Sequence, residues 1–423
     1  MVGYLVLENG DVFKGERIGS NNDVAFELVF NTEMFGYMEV FTDPSYFGQG
    51  LLMTYPLIGN YGVIPEDFES EKIWAEAIFV NEFVENGNNF RAKCGLDKFL
   101  KNSNIPGLKG VNTEEIAKVL KECGTLKGYL TSEINNIEEI LEKIKKYKIE
   151  KPIDKVTCRT KLVFGKTKPK QIALIDYGVK HNIVNSLLKR NVGVTVYPAG
   201  TSAETILTVR PSGIVLSNGP GNPKEYDTQI EVIKKLCKTN IPILGIGLGH
   251  QLLAIAMGAK TEKLKYGHRG NYPIKNLKKD KVNITSQNHG YCVSKNSIDL
   301  EIAEIVHINL EDETIEGLKY KNKNIVSVQF QPEACPGPED ANYIFDEFVN
   351  GFYKNIDEDG NIKLLKTVPN IEDKQSLKDI MQAINVPYMS KDEKHIADWK
   401  EIGYELIRDN KRKLYNSLQH GKY

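Results

Sequence analysis

Four runs of unbroken apolar character, QIALID, VGVTVY, GIVLS and PILGI between Gln171 and Ile246, constrain the fold of this chain more than any other feature. A strand with one wet face alternates apolar and polar residues, whereas a strand covered on both faces reads as a continuous Val/Ile/Leu run. The intervening segments HNIVNSLLKRN, SAETILTV and QIEVIKKLCK carry apolar residues at helical spacing. A β-α-β-α-β-α-β series of this kind predicts a parallel sheet with right-handed crossovers, a doubly wound α/β domain. Ligands of such sheets bind at the carboxyl ends of the strands. Chemistry is therefore expected in the loops after Ser217 and after Ile246, both of them glycine-rich.

The residues before this region read differently. From Tyr4 to Leu52, short alternating runs (YLVLE, VAFELVF, GLLMTY) are separated by the turn-forming ENGD, SNND and TDPSYFG, which predicts strands. Helical spacing takes over at Lys98–Asn102 and Thr113–Glu122, with Asn112 or Thr113 placed to cap the second helix. The N-terminal part is thus an α+β domain. The charged stretch EEILEKIKKYKIEKPIDK reads as a solvated helix face running into a linker. The expected organisation is an N-terminal domain over 1–150, a linker over 151–169, the doubly wound domain over 170–355, and a charged extension over 356–423 with helices near Asp373–Ile384 and Lys391–Asn416.

At 423 residues the chain is long enough for two domains with separate cores. Fifty-five basic against fifty-six acidic residues leave a formal charge of -1, so no net field draws it to nucleic acid or an anionic membrane. Six scattered cysteines without CxxC spacing suit reduced thiols rather than disulfides or a zinc site. Neither a signal peptide nor a membrane span is expected, and a cytoplasmic location follows.

The strongest local signal is Gly245-Ile246-Gly247-Leu248-Gly249-His250-Gln251, directly after PILGI and opening a helix expected over Gln251–Met257. A strand-to-helix elbow holds its central residue on a strained turn, with backbone N–H groups alongside as an oxyanion hole. A nucleophile belongs at position 247. The residue is Gly247, which has no side chain.

GIGLGHQ resembles the GICLGHQ elbow of class I glutamine amidotransferases, with glycine in place of the catalytic cysteine. SNGPGNP (217–223), SQNHGY (286–291), FTDPSY (41–46), TYPLIGNYG (54–62) and VQFQPEACPGP (328–338) resemble, in order and spacing, the small subunit of carbamoyl phosphate synthetase. The likeness runs from about residue 2 to about 353. It implies an N-terminal small-subunit domain followed by an amidotransferase-like domain.

In that family the cysteine attacks the glutamine amide, a histidine moves protons and a glutamate orients the histidine. The last two positions fall on Gln331 and Glu333, so only the glutamate remains. A neutral amide cannot accept and return a proton as imidazole does. The resemblance implies substrate-binding roles for Ser45, Gly219, Gly221, Leu248, Gln251, Asn288, Gly290 and Tyr291; the alternative is that these positions only preserve turns and packing. His289 is read as structural, and Cys335 is not expected to replace the missing thiol. GHRGNYPI (267–274) is one residue shorter than the family's loop, and Asn112, Glu114 and Asn222 also depart from the pattern.

The implied partner is a carbamoyl phosphate synthetase large subunit holding ATP and magnesium, since this chain contains no GxxxxGK[ST] loop. L-glutamine is the implied ligand, with no metal or cofactor in this chain. A noncatalytic or ammonia-dependent subunit for pyrimidine or arginine synthesis is one expectation. A glutamine-binding or protein-binding paralogue is the other.

Overall fold

The computed structural model describes residues 1–351 and the short strand pair Asn355–Ile356 with Ile362–Lys363. The helices expected at 373–384 and 391–416 lie outside the described residues. The two expected domains pack together within one compact unit, Met1–Phe352.

The N-terminal half contains β1 (Val2–Leu7), β2 (Val12–Gly19), β3 (Val24–Asn31), β4 (Gln49–Met53), β5 (Leu57–Ile58), β6 (Ala77–Phe79), β7 (Glu82–Phe83), β8 (Pro106–Lys109) and β9 (Leu126–Thr131). Strands β5 and β7 pair with each other; the rest close into a barrel in the order β1-β2-β8-β6-β4-β3-β9. Closure removes the open edges that a sheet of this size otherwise presents. Strand β4 departs from the expected alternation because it is paired in parallel with both β3 and β6 and is buried along its whole length.

Four helices accompany the barrel: α1 (Tyr37–Phe41), α2 (Leu96–Asn102), α3 (Thr113–Cys123) and α4 (Ile137–Lys146). Of the two expected caps for α3, it is Asn112 that accepts from the Glu115 N–H, at 3.1 Å. The lysines of α4 face solvent while Ile140 and Ile144 pack with Val6, as its charged, widely spaced apolar pattern implies.

The stretch 151–169, expected as a linker, carries two elements of the second half: α5 (Pro152–Val156) and β10 (Leu162–Phe164). Pro152 occupies the first position of α5, and Ile153 is buried in the second half's core. Lysines surrounding these few apolar residues hide the signal in the sequence.

The second half then follows the predicted alternation: β11 (Lys170–Asp176), α6 (His181–Leu188), β12 (Val192–Pro198), α7 (Ala203–Thr208), β13 (Gly213–Leu216), α8 (Asp227–Leu236), β14 (Ile243–Ile246) and α9 (Leu248–Ala256). It continues with β15 (Thr261–Asn276), β16 (Lys281–Val293), β17 (Ala303–Asn309), β18 (Ile315–Tyr320), β19 (Ile325–Val328) and α10 (Tyr343–Asn350). The sheet order is β10-β12-β11-β13-β14-β19-β18-β16-β15-β17, with the five strands from β12 to β19 parallel. One face is covered by Ile206, Ile230, Ile233 and Leu252 of α7, α8 and α9, the other by Ile183, Leu187, Ile344 and Phe345 of α6 and α10. Burying each such side chain contributes about 1.5–3 kcal/mol. The segment 267–274, expected as a loop, is part of β15 and pairs antiparallel with β16. Among the described residues no helix is long and apolar enough to cross a membrane.

Three buried acids of the first half meet polar groups of the second. Glu33 accepts from Asn271 Nδ2 (2.7 Å) and Ser286 Oγ (3.0 Å). Glu69 accepts from Asn182 N (3.1 Å) and Nδ2 (2.5 Å). Asp43 accepts from Asn288 Nδ2 (3.0 Å), Gln331 Nε2 (3.3 Å) and Asn218 Nδ2 (3.4 Å), and from the Ser45 N–H of its own turn (2.9 Å). Burial raises the Glu33 and Glu69 carboxyls above the ordinary range, with their hydrogen bonds and Lys180 opposing. Removing an acceptor here strands several donors at once. Asp43→Ala is therefore expected to destabilise the chain by about 2–4 kcal/mol, read as a lowered urea midpoint; a loss below about 0.5 kcal/mol, the surface-substitution range, would refute this role.

Candidate functional site: a cavity at a strand-to-helix elbow

Strand β14 ends at Ile246, Gly247 turns at φ 56°, ψ −112°, and α9 starts at Leu248, three residues earlier than its sequence suggests. The elbow is held by backbone bonds to the neighbouring strands: Gly247 N donates to Val328 O (2.9 Å) and Gly249 N to Ser217 O (3.0 Å). A Cβ at position 249 would lie 2.2 Å from Leu216 O, so that glycine is sterically required. At 247 the nearest atom to a Cβ would be Asn218 Cβ at 3.2 Å. Space there admits a small side chain, although positive φ strains any residue but glycine. Beside the elbow, the turn after β13 requires Gly219, whose Cβ would meet Tyr177 O at 2.1 Å.

A cavity of about 650 Å³ opens onto this elbow. Ser45, Gly219, Gly221, Leu248, Gln251, Asn288, Gly290 and Tyr291 all line it, together with Gly247 and Gln331. Ser45 comes from the first half of the chain, so the site exists only where the two halves meet. Glu333 is not part of the lining; it is buried behind, beside Lys180.

Several of these side chains are occupied by one another. Gln251 Nε2 donates to Tyr291 O (2.7 Å) and Gln329 Oε1 (3.0 Å), and Asn288 Nδ2 donates to Asp43. Asn218 Nδ2 donates to Ser45 Oγ (3.0 Å) and Asp43, which fixes its amide orientation. Four buried atoms of the lining residues are left with no hydrogen-bond partner among the described residues: Asn218 Oδ1, Gln329 Nε2, Gln49 Oε1 and Arg269 Nε. Buried polar atoms of this kind cost free energy unless something satisfies them.

Gln331 sits where the resemblance places a histidine. Lys180 Nζ donates to its Oε1 (3.0 Å), and its Nε2 donates to Asp43 Oδ2 (3.3 Å). Lys180 also donates to Ala334 O (2.6 Å) and pairs with Glu333 at 3.2 Å, both side chains being buried. Burial disfavours the ammonium, but Glu333, Glu69 and Asp43 outweigh it and hold Lys180 above its ordinary value. Burial lifts Glu333 to about 7 against the opposing Lys180. The amide of Gln331 thus bridges a cation and a carboxylate and carries no proton that it can transfer.

Two neighbouring groups, Cys335 and His289, are held in other roles. Burial, with Glu69 alongside, pushes the Cys335 thiol up to about 12, leaving it protonated and weakly nucleophilic. Both ring nitrogens of His289 face oxygens, Tyr291 O at 2.8 Å and Gln287 Oε1 at 2.9 Å. Burial and the neighbouring His268 hold His289 well below its ordinary value. Asp43, Lys180, Asn218 and Gln329 were not singled out by the sequence reading. Asp43 and Asn218 lie inside motifs that were noted, where they read as turn residues; a solitary lysine such as Lys180 carries no local signal of its burial.

Residues 5–130 match the family Carbamoyl-phosphate synthase small chain, CPSase domain, and residues 173–350 match the family Glutamine amidotransferase class-I. The carbamoyl phosphate synthase small chain of Listeria monocytogenes is 46% identical over 348 residues, covering 82% of this chain and 95% of that protein. The carbamoyl phosphate synthase pyrimidine-specific small chain of Bacillus subtilis is 46% identical over 347 residues, covering 82% and 94%. The small chain of Clostridium perfringens is 44% identical over 350 residues, covering 82% and 99%. Among solved structures, a glutamine amidotransferase from Thermotoga maritima aligns with a TM-score of 0.34 at 23% identity, covering 39% of this chain and 76% of that one. With nearly the whole of these relatives spanned and both of its domains matched, the chain belongs to the carbamoyl phosphate synthase small chain family.

Proposed function

We propose that this chain is a cytoplasmic, noncatalytic small subunit that binds L-glutamine without hydrolysing it. Its partner would be a carbamoyl phosphate synthase large subunit, which carries the ATP and magnesium chemistry and takes free ammonia. The observation that carries this reading is the cavity at the glycine elbow, lined by all eight residues to which the resemblance gives a substrate-binding role. A primary carboxamide donates N–H and accepts at its carbonyl, and the side-chain amides of Asn218, Gln251, Asn288 and Gln329 in the lining are groups of matching polarity. The pathway proposed is pyrimidine synthesis, in keeping with the name of the Bacillus subtilis relative; arginine synthesis consumes the same product.

Hydrolysis of an amide needs a nucleophile and a group to protonate leaving ammonia. Gly247 supplies no nucleophile and Gln331 no proton. The retained pocket also favours a second reading, a glutamine receptor that acts without a large subunit. Copurification with a matched large subunit, which the first reading requires, separates the two.

Glutamate release from glutamine by the purified chain, alone or with the large subunit, is expected at least about 10³-fold below the 1–10³ s⁻¹ of ordinary enzymes; a turnover near 1 s⁻¹ would refute the reading. Gly247→Cys combined with Gln331→His is expected to restore measurable glutaminase activity, with each single change giving far less, because such groups act as a unit. Equal activity in a single variant would contradict the role assigned to the other position. Gln329→Glu keeps the acceptor for Gln251 and puts a carboxylate in place of a neutral amide of the cavity lining, so calorimetry should show glutamine binding weakened at least about 10-fold. Unchanged affinity in a folded variant would remove the basis for the carboxamide pocket.

A further inference from the structure

At the wall of the cavity, which His289 also lines, His268, His289 and Glu316 of β15, β16 and β18 bring one ligand atom each to within 4.8 Å of one another, all three residues being buried. The outward nitrogen of each imidazole is already committed. His268 Nε2 lies 2.9 Å from Asp312 Oδ2 and His289 Nδ1 lies 2.8 Å from Tyr291 O. In the neutral tautomers that these partners select, each of these nitrogens carries the ring hydrogen and each inner nitrogen keeps a lone pair. The inner nitrogens, His268 Nδ1 and His289 Nε2, both point at Gln287 Oε1, at 3.2 and 2.9 Å. That oxygen has no hydrogen to give. Glu316 adds a carboxylate 3.8 Å from His268 Nδ1. Its Oε1 accepts from Asn309 Nδ2 (3.3 Å), while its Oε2 has no hydrogen-bond partner among the described residues.

Four electron-pair donors thus converge on one buried point. A single divalent cation satisfies all four. The outer partners also match metal-bound histidine, which donates its second ring N–H to a carboxylate or backbone carbonyl.

We propose that His268 Nδ1, His289 Nε2 and the Glu316 carboxylate, with Gln287 Oε1 as a fourth ligand, form a structural site for a divalent transition-metal ion of zinc type. Two imidazoles, a carboxylate and a carboxamide oxygen suit Zn²⁺ better than the oxygen-only preference of Mg²⁺ or Ca²⁺. With bonds of about 2.0–2.1 Å, ligand atoms must draw in by about 1 Å, a shift that side-chain rotation supplies. The ion would tie β15, β16 and β18 together immediately behind Asn288, Gly290 and Tyr291. This proposal does not depend on whether the cavity binds glutamine.

The test uses the full chain, stripped with a chelator and dialysed, then titrated with Zn²⁺ or Co²⁺ and assayed by elemental analysis and visible absorption. About one equivalent per chain is expected, with a tetrahedral Co²⁺ spectrum. His289→Gln is expected to abolish stoichiometric uptake. Asp312→Asn, at a partly exposed position, is expected to weaken it about 10–100-fold and serves if the buried variant fails to fold. A folded wild-type chain that takes up neither ion would overturn the site, leaving a hydrogen-bonded network bridged by protons. Uptake that survives unchanged in both folded variants would overturn it equally.

Discussion

The buried ammonium of Lys180 is the constraint on which this molecule's interior depends. It is fully enclosed, so it persists only because carboxylates from both halves of the chain surround it: Asp43 and Glu69 from the first, Glu333 from the second. Such a charge cannot be removed or left alone without a large penalty. The halves must therefore close on each other before it is satisfied, and closing them builds the cavity. Gln331 completes the arrangement by accepting from Lys180 and donating to Asp43. An amide has both polarities on one planar group, and this position uses both. Gln331 is thus a fixed connector between Lys180 and Asp43.

The elbow stands without a side chain at position 247 because backbone bonds hold it. Gly247 and Gly249 are anchored through their N–H groups to Val328 and Ser217, and Gly249 is the glycine that close packing demands. Close packing thus requires glycine at 249, whereas 247 has room for a small side chain.

The parallel half of the sheet was legible from the sequence because its strands are apolar on both faces and its helices have clear spacing. The elbow was legible because strand, glycines and helix follow each other within a few residues. The antiparallel extension β15–β18 was not. Its buried positions include Asn276, Asn283, Thr285, Ser286, Gln287, His289, Asn309 and Glu316, and a strand with a polar interior face gives no apolar alternation to read. The expected binding residues converge on the cavity, yet their partners Lys180 and Asp43 were invisible as such. Their importance comes from burial against residues more than a hundred positions away, which no local pattern encodes.

Strand β10 has a further consequence. Among the described residues it ends the ten-stranded sheet and pairs only with β12, which leaves its outer backbone groups without a strand partner there, and Leu162, Val163 and Phe164 are all substantially exposed. Open edges with apolar side chains are templates for unwanted strand addition between molecules. Here the edge is only three residues long and is flanked by Lys161 and Lys166, charges that make stacking of copies costly. Colloidal stability at high concentration is thus governed by two lysines far from the cavity, and a surface redesign that neutralised them would trade solubility for nothing in the fold.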